Sequence, residues 1–198
     1  MQGAPLVHGR ASGSLLHADE PLSFWGGISP ASGQVIDVKH PLCGECVTSR
    51  VLAIPNGRGS CTGSQVMLEL LLNGTAPAAI LLREHDDIIA LGAIVAEELF
   101  SAAPLPVVSL GADGFARAAA SEYVRVDYDG TVHLYDDARE AVAAAHDCAA
   151  HGDGAAPAAR ATGAADDGAS TPTGVADVPG EEQLALSADD AAMLRGEH

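Results

Sequence analysis

The sequence is poor in lysine, in aromatic side chains and in unbroken apolar stretches, and each shortage removes a class of function. Lys39 is the sole lysine, and 10 Lys and Arg stand against 27 Asp and Glu, giving a net charge of −17. A polyanion partner needs clustered cations on one face, so nucleic acid is not an expected ligand. Aromatics at 4% also leave no stacking platform for single strands. No apolar run reaches the roughly 20 residues of a membrane span; the longest, around 78–82 and 88–95, are short or interrupted. The N-terminus lacks the charged, apolar and small-residue succession of a secretory leader. The expectation is a cytoplasmic chain with no membrane partner. Its cysteines, Cys43, Cys46, Cys61 and Cys148, are too sparse for a disulfide scaffold.

What is present suits one domain with an extension. Hydrophobic residues make up 47% of 198 residues, enough for a real core, but alanine dominates that fraction after residue 138. Residues 6–16 read as a first strand with a bulge or bend at Gly13. Residues 19–33, rich in Gly, Pro and Ser, read as a long ordered loop holding the only Trp. Gln34–Val38 alternates like a short strand, and Val47–Ile54 is the next strand, stopped by Pro55. Helix-forming spacing over Gln65–Leu72 ends at Asn73-Gly74. An α/β alternation follows: strand Ala78–Leu82, helix Asp86–Phe100, strand Pro106–Leu110, helix Phe115–Ser121. Tyr123–Tyr128 and Thr131–Tyr135 then form a hairpin across Asp129-Gly130. Residues 139–150 suit an alanine-rich helix. Residues 151–182 have almost no large apolar side chain to offset ordering entropy and read as a disordered linker. Order signals return at 184–195, with Ser187 as N-cap and Asp189-Asp190 in a first turn.

The segment with chemical promise is Asn56-Gly57-Arg58-Gly59-Ser60-Cys61-Thr62-Gly63-Ser64, between a strand and a helix. Its glycines let backbone approach a ligand closely, and the helix start offers N–H groups and partial positive charge to an anion. Hydroxyls and one arginine share the segment. A small carboxylate or phosphate substrate would be held here. An ordinary Gly-rich turn with helix capping is the plainer account, since the spacing matches neither a Walker loop nor a dinucleotide fingerprint.

Several motifs in consistent order narrow this. Pro21-Leu22-Ser23-Phe24-Trp25-Gly26-Gly27, His40-Pro41-Leu42 with Gly44, the loop above, Asn73-Gly74-Thr75-Ala76-Pro77-Ala78-Ala79-Ile80 and Leu91-Gly92-Ala93-Ile94-Val95 together resemble the small subunit of the aconitase X family, over roughly residues 6–135. The resemblance implies an α/β fold: a swivelling β/β/α domain like the aconitase C-terminal domain, with helices around a mixed sheet, here at 1–138. Family members are hydro-lyases, including cis-3-hydroxy-L-proline and phosphomevalonate dehydratases. It further implies a large subunit or domain as partner, which carries most of the site and an iron–sulfur cluster, so none is expected on this chain alone. Ser60 matches the family's catalytic serine and is expected to act as base; Arg58, Gly59, Cys61 and Ser64 are the expected substrate contacts. Cys61 stands where the family commonly has serine. Residues 183–198 resemble the opening of the large subunit. The favoured expectation is the small component of a hydro-lyase acting on cis-3-hydroxy-L-proline. Alternatives are the phosphomevalonate branch and a non-catalytic binding or regulatory domain.

Other candidates have plainer explanations. Cys43-Gly44-Glu45-Cys46 lacks the second close pair of a zinc site and the strand–helix context of a redox motif. His40 suits a structural loop histidine better than a substrate contact. Phe24-Trp25-Gly26-Gly27 suits a loop anchor or a partner interface. Arg83, Glu84 and His85 end a strand, where ligands often bind in α/β folds, but solvated charges are the default. Asp86-Asp87 reads as a helix N-cap pair.

Overall fold

The computed structural model describes residues 1–59 and 61–140. Its elements are β1 (Ala4–Val7), β2 (Ala11–His17), β3 (Val51–Ile54), α1 (Thr62–Asn73), β4 (Ala79–Leu82), α2 (Asp87–Phe100), β5 (Val107–Ser109), α3 (Gly111–Ala118), β6 (Tyr123–Val126) and β7 (Val132–Tyr135). β4, α2, β5 and the hairpin strands fall where the sequence pattern puts them, and the hairpin β6–β7 pairs Val126 with Val132 across the expected turn.

Among the described residues the strands form one sheet in the order β1-β5-β4-β3-β2-β6-β7. The central four run parallel, and β1, β6 and β7 add antiparallel edges. A bridge between Gln2 and Thr131 links the two ends of that order, so the sheet curls toward closure. Every residue of β3 (VLAI) and β4 (AILL) is buried, as expected for parallel strands covered on both faces. Leu52, Ile54, Ile80 and Leu82 face a core shared with α1, α2 and the long loop's Leu22, Phe24 and Ile28. Val51, Ala53, Ala79 and Leu81 face the other way, toward Phe115, Ala118 and the hairpin's Val124, Val126 and Val132.

Several early expectations change. The segment 6–16 is two strands, not one, because β1 pairs with β5 while β2 pairs with β3 and β6. Gly13 makes no bulge: it pairs in register with Val124, and a Cβ there would meet the Ser49 carbonyl oxygen at 2.9 Å. Residues 34–38 form no strand, only single bridges such as Gln34–Cys46. The strand expected from Val47 begins at Val51, after Ser49 turns at φ 60°. α1 starts at Thr62, inside the glycine-rich segment, and α3 starts at Gly111. The remainder of the expected alanine-rich helix beyond residue 140, the linker 151–182 and the segment 183–198 lie outside the described residues.

Candidate functional site

The loop after β3 is held at three successive residues by two other parts of the chain, the β4–α2 connection and the long loop before residue 34. The Asn56 side-chain amide donates to Glu84 Oε2 at 2.9 Å. Gly57 N–H donates to Asp86 Oδ2 at 2.7 Å, and Arg58 N–H to the Leu22 carbonyl at 2.9 Å. Glycine is needed at 57 for space: a Cβ would stand 2.9 Å from Asp86 Oδ2 and 3.1 Å from Ile89 Cδ1. Two residues on, Gly59 has φ 126°, a conformation L side chains rarely adopt.

The helices on either side of this loop begin differently. Asp86 caps α2, its Oδ1 accepting from the N–H groups of Ile88 and Ile89, and Asp87 adds an acid to the first turn. Cys61, the N-cap of α1, makes no side-chain capping bond, and the first turn of α1 holds no acid. No carboxylate there offsets the helix's partial positive charge, the electrostatic setting that suits an anion.

Of the residues singled out from sequence, Arg58, Gly59 and Cys61 are exposed together on this loop. Ser60 lies outside the described residues. Ser64 sits in the first turn of α1, where its hydroxyl donates to the Cys61 carbonyl at 2.6 Å; its oxygen keeps lone pairs to accept with. Arg58 has a partner that the sequence did not suggest: its Nη2 lies 2.8 Å from Asp37 Oδ2. The other Asp37 oxygen accepts from the Lys39 N–H at 3.0 Å. That backbone hydrogen bond, together with the Arg58 charge, holds the Asp37 carboxyl below its ordinary value despite some desolvation. Asp37 lies between Ile36 and Val38, which are 47% and 83% exposed. An acid fixed within an exposed apolar stretch was the available signal. Asp86 was legible as a cap, but its second oxygen's hold on Gly57 was not.

The remaining candidates separate by their contacts. His40 is buried: its Nδ1 accepts from the Leu42 N–H, and its Nε2 lies 3.1 Å from the Glu20 carbonyl, so the ring braces the loop from within. Phe24 is buried, while Trp25 is 67% exposed beside it. Arg83 pairs with Glu84, and His85 with Asp87, on open surface. Cys43 and Cys46 are exposed, and the Cys46 thiol donates toward Ser32 O and Thr48 Oγ1. Among the described residues no three His, Cys, Asp or Glu side chains converge to hold a metal ion. This donor set does not fit an iron–sulfur cluster. Nor is any described helix long and apolar enough to cross a membrane.

The space at the loop is open on one side. The crevice between Phe24, Gly57, Arg58, Gly59, Gly63 and Ile88 has a volume of about 10 Å³, room for about one water. Next to it Trp25, Pro30, Ile36, Thr62 and Val66 line a shallow groove of about 380 Å³.

Comparison with known proteins agrees with this geometry. The model of the aconitase X swivel domain matches residues 1–134. A cis-3-hydroxy-L-proline dehydratase of Pseudomonas aeruginosa is 59% identical over 133 residues, 67% of this chain and 22% of that protein. A phosphomevalonate dehydratase small subunit of Methanothermobacter thermautotrophicus is 50% identical over 91 residues, 46% of this chain and 70% of that subunit. The crystal structure of Thermococcus kodakaraensis aconitase X (holo-form) superposes with a TM-score of 0.59 at 33% identity, covering 67% of this chain and 95% of that one. The chain thus spans under a quarter of the length of the dehydratase it matches at 59%. With the family model covering both the sheet and the loop, the chain belongs to the aconitase X swivel domain family.

Proposed function

We propose that this domain is the swivel component of an aconitase-X-type hydro-lyase, dehydrating a small hydroxy acid, with cis-3-hydroxy-L-proline as the favoured substrate. The observation that carries the reading is the 59% identity to a cis-3-hydroxy-L-proline dehydratase over 133 residues, beside a family match across residues 1–134, which contain the β3–α1 loop. The open crevice supports it, because a domain offering one wall of a site suits an enzyme completed by a large subunit or domain.

In this reading Ser60 removes the proton on the carbon beside the substrate carboxylate, and the electron pair left behind expels hydroxide from the neighbouring carbon. A serine hydroxyl is a weak base unless its alkoxide is stabilised; the glycine-loop amides and the start of α1 supply positive potential for that. Arg58 binds the carboxylate, with Gly59, Cys61 and Ser64 shaping the contact. Assistance to the leaving hydroxide falls to the large part, where the iron–sulfur cluster is also expected.

The phosphomevalonate branch is the second reading, favoured by the 70% coverage of an independent small subunit. The two are separated by assembling this chain with its large partner and assaying both substrates. We expect water loss from cis-3-hydroxy-L-proline, none from mevalonate 5-phosphate, and no turnover by this chain alone. Ser60→Ala in the assembly should lower kcat on the order of 10²–10⁴-fold without shifting the melting temperature. Near-normal turnover would reject Ser60 as base, and turnover of neither compound would reject the enzyme.

A further inference from the structure

Arg58, the expected carboxylate ligand, is not a free cation. Its guanidinium sits on Asp37 at 2.8 Å, with the Arg58 side chain 59% exposed and the Asp37 side chain 16% exposed. The Lys39 N–H bond fixes the aspartate from the other side, so this carboxylate keeps its place without help from a ligand. What the loop presents is a plus–minus pair of fixed orientation. A carboxylate can accept about four hydrogen bonds, and the two named leave Asp37 with capacity at its exposed edge.

Further carboxylates stand around this neutral pair. Asp86 lies behind Gly57, Glu84 holds Asn56, and Glu69 lines the adjoining groove. A carboxylate with no cation of its own would meet Asp37 as soon as it reached Arg58, and like charges at an interface are costly. A zwitterion meets no such cost. Its carboxylate takes the outer guanidinium N–H groups, which Asp37 does not use, while an ammonium one carbon away reaches the aspartate.

We infer that Asp37 is a specificity-determining residue, which with Arg58 selects substrates carrying a protonated nitrogen on the carbon next to the carboxylate and disfavours nitrogen-free acids. The inference deepens the proposed function and rests on its assignment of Arg58 to the substrate carboxylate. It adds a role for a residue 21 positions upstream of that arginine.

The test uses the chain assembled with its large part and two competitive ligands of one shape. L-Proline carries the ammonium; cyclopentanecarboxylate has a methylene in its place. In the wild type L-proline should inhibit more strongly. Asp37→Asn should raise its Ki on the order of 10–100-fold, the range of one charge-assisted hydrogen bond, and leave the Ki of cyclopentanecarboxylate within about 3-fold. Asp37→Glu, which keeps the charge, should restore part of the preference and so separate loss of charge from loss of fold. Equal weakening of both ligands would overturn the inference, because Asp37 would then act only by holding Arg58. An unchanged preference would overturn it too. A preference lost in Asp37→Asn, in an assembly that dehydrates a different amino acid from hydroxyproline, would uphold Asp37 while rejecting the substrate named above.

Discussion

At the scale of single residues, the chain uses short polar side chains to fix backbone at turns, and one of these gives a titration signature. In the β6–β7 turn, Asp129 Oδ1 accepts from the Thr131 N–H at 2.9 Å, and that hydrogen bond is the main reason its carboxyl is held below the ordinary 3.8. A carboxyl depressed in the folded state stabilises fully above its unfolded value, and that contribution is lost as pH falls through the folded one. The melting-temperature gap between wild type and Asp129→Ala should therefore stay constant from about pH 8 to about pH 5 and narrow below about pH 4. A gap that widens in acid would refute this account. The turn itself was legible, since Asp129-Gly130 between alternating strands is a strong short-range hairpin signal. The pairing of Arg58 with Asp37 was not, because nothing local links positions 21 residues apart.

Among elements, the informative contrast lies between the starts of α1 and α2. Asp86 does two tasks: one oxygen caps α2 and the other holds the Gly57 N–H in the loop before α1. Asp87, next to it, pairs with the exposed His85. Asp86→Ala should cost about 0.5–2 kcal/mol for the cap alone, and should speed hydrogen exchange at the Gly57 amide as well as at Ile88 and Ile89. Asp87→Ala should stay within about 0.5 kcal/mol. If Asp86→Ala left Gly57 exchange unchanged, the loop would not depend on α2. The close approach of the two helices makes this coupling feasible: at Gly92 of α2 a Cβ would come within 2.5 Å of the Ser64 carbonyl oxygen and 2.8 Å of Met67 Cβ. Sequence showed an Asp-Asp start and a glycine within a helix, yet neither reveals which neighbouring backbone they meet.

For the molecule as a whole, the decisive feature is the closure of the sheet. Met1 and Gly3 bond to the hairpin at Val132 and Gly130, tying the first strand to the last segment of the sheet. Gly130 has φ 83°, and a Cβ there would lie 2.8 Å from Pro5 Cδ. Gly74, the C-cap of α1, has φ 71° with open space around it. Gly74→Ala should therefore cost about 1–2 kcal/mol, from the left-handed backbone alone. Gly130→Val should cost clearly more in a denaturant titration and lower the cooperativity of unfolding, because it also forces the two ends of the sheet apart. Equal costs would mean that the closure contributes nothing. This same scale explains why residues 6–16 are not one strand: the run is divided because β1 forms an edge beside β5 while β2 lies inside the sheet between β3 and β6.

By itself the sequence determined what depends on neighbours along the chain. Asn73-Gly74 stops α1 because glycine accepts a left-handed backbone. Asp86 starts α2 because its side chain reaches amides two and three residues on. The apolar runs at β3 and β4 announce strands, and several motifs in order announced the family. The tertiary structure decided what depends on distant residues meeting: which strands pair, where α1 begins, and how Gly57 and Arg58 are held. It also put Asp37 against Arg58, turning an arginine that reads as an anion site into half of an ion pair. The physical reason is that hydrogen bonds and ion pairs act over a few ångströms of space, while their partners here lie 21 and 29 residues apart in the chain.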